Sequence, residues 1–267
     1  MTHPGRFRKS NQDAFLGLIM TENEVHHLGK EDEYEFSGDS QFIFAVSDGM
    51  GGANAGDFAS RMAVQTVLKK LPQLLQHIFK LSKEDRCSML ERLFQEIHEE
   101  INLAGRYYEE CKGMGATLSL IWAHDNGITF GHVGDSRIYV INPGKDIRQI
   151  SEDHSEVGRL HREGKINERQ SKQHPRKHIL DQTLGGNMRT VQPQTGNIPF
   201  DTGDQLILCS DGICDGLYNR SIEKLITMPP PNLVELRPSE RLVKEALFSS
   251  GKDNLTAMVV SLETNLP

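Results

Sequence analysis

No run of about 18 apolar residues occurs anywhere in the chain, so no segment is long enough to cross a bilayer as a helix. The opening residues, "MTHPGRFRKSNQD", lack the apolar core of a secretory leader. Cysteine is scarce: Cys87, Cys111, Cys209 and Cys214 form no CxxC pair and no regular framework. That speaks against disulfides and zinc ligands and reads as reduced thiols, with Cys209 a small core residue. Positive charge is also in short supply. A net charge of -7 argues against a nucleic-acid binder, whose affinity rests on neutralising phosphates, and the basic run "RKSNQD" is too short to reverse this. There is no repeat with a period of about 20 to 50 residues, and no GxSxG elbow surrounds Ser47 or Ser210, so a serine nucleophile is not indicated. The expectation from these absences is a soluble, cytoplasmic protein with no membrane and no nucleic-acid partner.

What is present suits one globular domain. With 25% charged and 37% hydrophobic residues over 267 positions, the composition allows a substantial core and a single domain spanning 1–267. Ala59, Met62, Ala63, Val67 and Leu71 keep helical spacing up to a stop at Pro72. Leu90, Leu93, Phe94, Ile97 and Ile101 form a second stripe, with Ser82 as N-cap and Asp85 three residues on. After Gly113 and Gly115 the period changes. "ATLSLIWAHDNGITFGHVGDSRIYVIN" predicts strands at about 116–123, 128–133 and 137–141, the first two joined by an Asp125-Asn126-Gly127 turn. Residues 156–182 are polar and rich in His, Arg and Lys, which predicts an external flap. "SIEKLITM" and "SERLVKEALFSSGKDN" predict helices capped by Ser221 and Ser239, the second stopped by Gly251, and "LTAMVVSL" predicts a buried closing strand. Strands grouped in hairpins and helices grouped in pairs indicate an α+β architecture: two antiparallel sheets face to face, each covered by helices.

Five aspartates stand where an apolar strand meets a polar or glycine-containing bend: Asp13 in "SNQDAF", Asp48 in "VSDGMGG", Asp135 in "HVGDSR", Asp211 in "CSDG" and Asp253 in "GKDNLT". Taken singly, each is an ordinary turn or cap residue. Brought together, such carboxylates would repel one another and hold their protons unless a cation neutralised them. Carboxylates and backbone carbonyls without paired histidine or cysteine ligands suit hard cations, Mg²⁺ or Mn²⁺. Gly49 and Gly212 fit that reading, because a residue without Cβ lets a carbonyl or a bound water approach closely. In "HPRKH", His174 and His178 have a helical i,i+4 spacing, but Pro175 makes a regular helix doubtful and a surface position is expected.

The ordered blocks "GRFRKSNQDAF", "FAVSDGMGG", "GATLSLI", "HVGDSRIYVI", "QISEDHS", "TLGG", "GDQLILCSDGICDGL" and "KDNLTAMVV" resemble the bacterial metal-dependent protein Ser/Thr phosphatases of the protein phosphatase 2C, or PPM, family over nearly the whole chain. The resemblance implies a four-layer α-β-β-α sandwich, its two antiparallel sheets flanked by helix pairs. It implies hydrolysis of phosphoserine and phosphothreonine in proteins by a water or hydroxide bridging two divalent metals, Mn²⁺ or Mg²⁺, with a third site as bacterial members often show. Asp48 would bridge the metals, the Gly49 carbonyl would bind one, and Asp211 and Asp253 would complete the other. Asp13 would act through metal-bound water, Asp135 would serve the third site, and Arg8 would grip the substrate phosphate. Gln12 stands where many relatives carry an acid, while Asn254 and Thr117 would support the ligands. Met50 replaces a histidine found in many eukaryotic members, which leaves the general acid unassigned and His154 a weak candidate. The implied partners are phosphorylated proteins made by a Ser/Thr kinase, met by a monomer. Two rivals stay open at this point: a pseudophosphatase that binds without turnover, and a hydrolase of another phosphoester.

Overall fold

A computed structural model describes residues 1–22, 24–29, 40–52, 55–74, 81–125 and 127–263. In chain order its strands are β1 (Thr2–His3), β2 (Asp13–Thr21), β3 (Val25–His27), β4 (Ser40–Met50), β5 (Gly115–Ala116), β6 (Leu118–His124) and β7 (Gly127–Val133). They continue with β8 (Arg137–Ile141), β9 (Arg148–Gln149), β10 (Leu184–Gly185), β11 (Gln194–Ile198), β12 (Gln205–Cys209) and β13 (Leu255–Ser261). The helices are α1 (Ala55–Lys70), α2 (Lys83–Tyr107), α3 (Glu156–Arg162), α4 (Glu168–Gln173), α5 (Asp211–Gly216), α6 (Asn219–Thr227) and α7 (Pro238–Ser249).

Two antiparallel sheets result. One runs β1-β13-β12-β8-β9; the other runs β10-β5-β4-β6-β7-β11 and adds β2 and β3 along β4. Every residue of β6 and β7 is buried, which a half-solvated sheet could not show. The reason is that both faces are covered. Leu18, Ile43, Leu120 and Trp122 meet Val67, Phe94 and Ile97 of α1 and α2 on the outer face of the larger sheet. Val46, Ile121 and Phe130 meet Ile138, Leu206 and Leu208 between the two sheets. Tyr139, Ile207 and Ala257 pack on Ile213, Ile222 and Leu242 of α5, α6 and α7 on the far side. Three apolar layers separate four layers of secondary structure, the expected α-β-β-α sandwich.

Local signals held where side-chain chemistry was specific. Ser82 caps α2 by accepting from the Asp85 N–H, and Pro72 follows α1. His124 and Gly127 are partners across the β6–β7 turn, although Asn126 itself lies outside the described residues. Two expected caps did not form. Helix α6 begins at Asn219 after Tyr218, and α7 begins with Pro238 after Arg237, so Ser221 and Ser239 lie inside their helices. Proline's fixed φ makes it a ready first helical residue, and Glu240 accepts from the Arg237 N–H at 3.0 Å, which does the work assigned to serine. The closing strand is buried over Leu255–Ala257, half-buried over Met258–Val260 and exposed at Ser261.

Candidate active site

The acidic residues converge at one end of the sandwich. Asp13 opens β2 and Asp48 lies near the end of β4, directly opposite it in the antiparallel register. Like charges so placed destabilise a strand pair. Asp13 is accommodated by donors from the other sheet: its Oδ2 accepts from Ser210 Oγ at 2.8 Å and Thr256 Oγ1 at 2.6 Å. Asp211 begins α5 at the end of β12, Asp253 precedes β13, and Asp135 sits in the turn between β7 and β8, where the chain crosses from one sheet to the other. Each sheet therefore supplies part of the cluster.

Backbone ties fix the pieces. Thr117 Oγ1 accepts from the Asp48 N–H at 3.0 Å and the Thr117 N–H donates to the Asp48 carbonyl at 2.8 Å. The same hydroxyl lies 2.5 Å from Ser136 Oγ, beside Asp135. Asn254 staples the N-terminal loop: its Oδ1 accepts from the Gln12 N–H at 2.8 Å and its Nδ2 donates to the carbonyls of Pro4 and Ser10. That loop carries Arg8, whose Nη2 lies 2.7 Å from Asp253 Oδ2 with half of its side chain still exposed. Gln12 accepts at its carbonyl from the Gly49 N–H at 3.1 Å.

The glycines of the site also have a packing role. A Cβ on Gly49 would collide with the Gly56 backbone of α1 and with the Gln12 carbonyl, and a Cβ on Gly212 would collide with the Asn254 carbonyl. Their lack of a side chain lets backbone meet backbone, which locks the ligand-bearing segments to their neighbours.

Electrostatics mark the cluster as unfinished without a cation. Burial, opposed by the Thr256 and Ser210 hydrogen bonds, raises the Asp13 carboxyl to about 6. Burial and then Asp153, opposed by Arg137, raise Asp135 to about 7. Asp48 and Asp211 are pushed well above the carboxylate range by burial first and by neighbouring aspartates second. Asp13 Oδ1 and Asp211 Oδ1 are buried without a hydrogen-bond partner among the described residues. Orphaned carboxylate oxygens of this kind call for a partner, and an oxygen-rich donor set fits a hard divalent cation.

His154 and His178 each have neighbours that the sequence does not show. His154 accepts at Nδ1 from the Gly134 N–H, and its ring centre lies 5.1 Å from that of His132 with the two planes tilted; burial lowers its proton affinity, which disfavours it as an acid. Helix α4 ends before His174, so His174 and His178 do not form an i,i+4 pair. His178 instead reaches the acidic cluster: it, Asp211 and Asp215 place ligand atoms within 4.8 Å of one another. Ser210, Thr256, Asp215 and His178 were missed as site neighbours. Ser210 and Asp215 flank "SDGICD" closely enough to have been signalled, whereas His178 comes from the flap and had no local signal.

Known proteins share this architecture and sequence. A family model described as protein phosphatase 2C matches residues 21–247. A serine/threonine phosphatase of Listeria monocytogenes, Stp, is 35% identical over 83% of this chain and 85% of its own. The protein phosphatase PhpP of Streptococcus pneumoniae is 33% identical over 98% of this chain and 96% of its own. The solved catalytic domain of the serine/threonine protein phosphatase PstP, in complex with two manganese ions, superposes with a TM-score of 0.73 at 25% identity, covering 99% of this chain and 96% of that one.

Proposed function

The chain belongs to the protein phosphatase 2C family and is a protein serine/threonine phosphatase, and from that premise we propose that it hydrolyses phosphoserine and phosphothreonine in proteins at the aspartate cluster. The observation that carries the assignment is the pair of orphaned, buried carboxylate oxygens, Asp13 Oδ1 and Asp211 Oδ1, in a cluster drawn from both sheets and topped by Arg8. Asp48, the Gly49 carbonyl, Asp211 and Asp253 would hold two divalent cations, Mn²⁺ or Mg²⁺, and Asp135 would hold a third. When bound, two such cations lower the pKa of a bridging water, so that hydroxide is available at neutral pH, and screen the phosphoryl charge.

The protein's own residues do the rest. Arg8 presents a planar fork to two phosphate oxygens, and its ion pair with Asp253 keeps the guanidinium over the site before substrate arrives. Asn254 holds the loop that aims Arg8, while Thr117 holds the strand end that aims Asp48. Asp13, fixed through Oδ2, leaves Oδ1 free to orient an attacking water. The flap, 156–182, is tied beside the site by Lys177 to Asp215 at 2.6 Å and Glu168 to the Asn219 N–H at 2.8 Å, which suits it to contact the peptide flanking the phosphoresidue. The protein would work as a cytoplasmic monomer on the products of a Ser/Thr kinase. Asp48→Asn or Asp211→Asn should abolish Mn²⁺-dependent hydrolysis of a phosphothreonine peptide while circular dichroism shows an intact fold. Wild-type turnover surviving excess chelator would refute the metal mechanism.

A further inference from the structure

We infer that Cys209 and Cys214 are a dithiol that oxidises reversibly to a disulfide and thereby displaces Asp211, an effect on activity that rests on the function proposed above. The two Sγ atoms lie 3.5 Å apart, already in van der Waals contact. A disulfide needs about 2.05 Å, so the sulfurs must close by roughly 1.5 Å. Cys209 ends β12 and Cys214 lies in the first turns of α5, and between them stand Ser210, which holds Asp13, and Asp211 itself. The bond would close a ring around the segment that links the sheet to the site.

Access is built in. Cys214, with Asp135, Arg137, Lys172 and Asp211, lines a cavity of about 40 Å³ beneath the flap. This exceeds the roughly 10 to 15 Å³ that a single water occupies on the same measure, so a molecule the size of hydrogen peroxide fits. Cys209 is fully buried behind it, so an entering oxidant meets Cys214 first. Tyr139 Oη lies 3.5 Å from Cys214 Sγ, accepts from Arg137 Nη1 at 3.0 Å and donates to Asn219 Oδ1 at 3.1 Å, which gives the thiol a fixed polar neighbour.

The oxidant is hydrogen peroxide. Sulfur of Cys214 attacks one peroxide oxygen, the O–O bond breaks, and the second oxygen leaves as water with the thiol proton, giving a sulfenic acid. Sulfur of Cys209 then attacks the sulfenic sulfur, the S–S bond forms, and the sulfenic oxygen leaves as water with the second thiol proton. Two thiols lose two electrons and one peroxide becomes two waters. A dithiol reductant reverses the change by exchange. Closing the sulfur gap pulls the start of α5 toward β12, strains the tight Gly212–Asn254 contact and moves Asp211, while Lys172, which donates to the Cys214 and Leu217 carbonyls, resists the shift from the flap side.

The test uses the full-length protein. Metal-free protein in chelator is treated with hydrogen peroxide, the peroxide is removed, and the product is examined by intact mass, by peptide mapping and by Mn²⁺ titration calorimetry. Activity on a phosphothreonine peptide is then measured with added Mn²⁺. Expected are the loss of two hydrogens, a Cys209–Cys214 linked peptide, and falls in Mn²⁺ affinity and turnover of at least about tenfold, all restored by dithiothreitol. Cys209→Ala and Cys214→Ala should keep basal activity within about twofold and resist peroxide; Cys214→Ser serves if alanine at either position impairs folding. Thiols that stay reduced, oxygen addition without a link, a link to Cys87 or Cys111, or a linked protein that binds Mn²⁺ as tightly as the reduced one would each overturn the inference. A reduced wild type inactive with Mn²⁺ would instead refute the proposed function, and the peptide map and calorimetry would still decide the switch.

Discussion

Replacing Asp13 with asparagine should stabilise the metal-free protein while destroying its activity. The folded Asp13 carboxyl holds its proton up to about 6, against 3.8 for an unperturbed aspartate. A group that binds its proton more tightly when folded adds stability below its unfolded value, and that stability is lost as pH rises through the folded value. The wild type should therefore lose stability between about pH 4 and pH 6, by an amount on the order of 3 kcal/mol from this group alone. In Asp13→Asn the amide oxygen can take the place of Oδ2 and accept from Ser210 and Thr256, while the amide nitrogen takes the orphaned Oδ1 position beside acceptor carboxylates. The Asp48 carboxyl, which Asp13 pushes upward, is relieved as well, which widens the difference. Urea unfolding in chelator should show the variant more stable at pH 8 by about 3 kcal/mol and equal to wild type within about 1 kcal/mol at pH 4. A variant that is less stable at pH 8, or a gap that does not change with pH, would refute the cost of burying a charged Asp13 at the site.

Four further outcomes follow from named contacts. Gly49→Ala drives a Cβ into the Gly56 backbone and should cost about 3 kcal/mol or more, whereas Gly52→Ala, whose Cβ would meet nothing within 4 Å among the described residues, should change stability by about 0.5 kcal/mol or less; thermal melts of the pair decide. Asn254→Ala removes three buried hydrogen bonds and should lower stability by about 2 to 3 kcal/mol, with KM for a phosphopeptide rising because Arg8 loses its support. Lys177→Ala breaks the tie to Asp215 and should change the ranking of phosphopeptides more than turnover of p-nitrophenyl phosphate; equal losses on both would count against a role in substrate choice. His154→Gln should retain most of kcat in a steady-state assay, since the ring accepts from backbone and binds its proton weakly; a fall of about a hundredfold or more would restore it as the acid.

The layers were legible because period and burial agree over long runs. Ile121 and Trp122 lie in a continuous apolar run because helices cover one face of their sheet and the second sheet covers the other. The aspartates were legible as a set because each breaks a strand or helix boundary where nothing apolar could end. What escaped is the chemistry of distance. No local pattern announces that Ser210 and Thr256 donate to Asp13, since the three residues come from opposite ends of the chain. His178 joined the cluster only because the flap folds back onto α5, and "HPRKH" carries no trace of that return. Gly49 and Gly212 have in addition a packing role that their sequence context does not show: their partners are Gly56 and Asn254, and close backbone approach is a property of tertiary packing that composition does not encode.

The cross-sheet position of Asp13 joins cation binding to the stability of the sandwich. Its Oδ2 is held by donors from the smaller sheet while its backbone belongs to the larger one, so the site end of the interface contains a charged clasp instead of an apolar one. Without a cation, that clasp is stable only while protonated. A cation that binds the folded chain alone stabilises it by about 2.7 kcal/mol at a hundred times its dissociation constant, which is close to the cost of the buried charge relieved by protonating Asp13. Saturating Mn²⁺ should therefore flatten the dependence of stability on pH between about 4 and 8, and it should raise the melting temperature more at pH 8 than at pH 5. In Asp13→Asn the same addition should shift the melting temperature less at pH 8 than it does in wild type, because the buried charge that the metal would have offset is already gone.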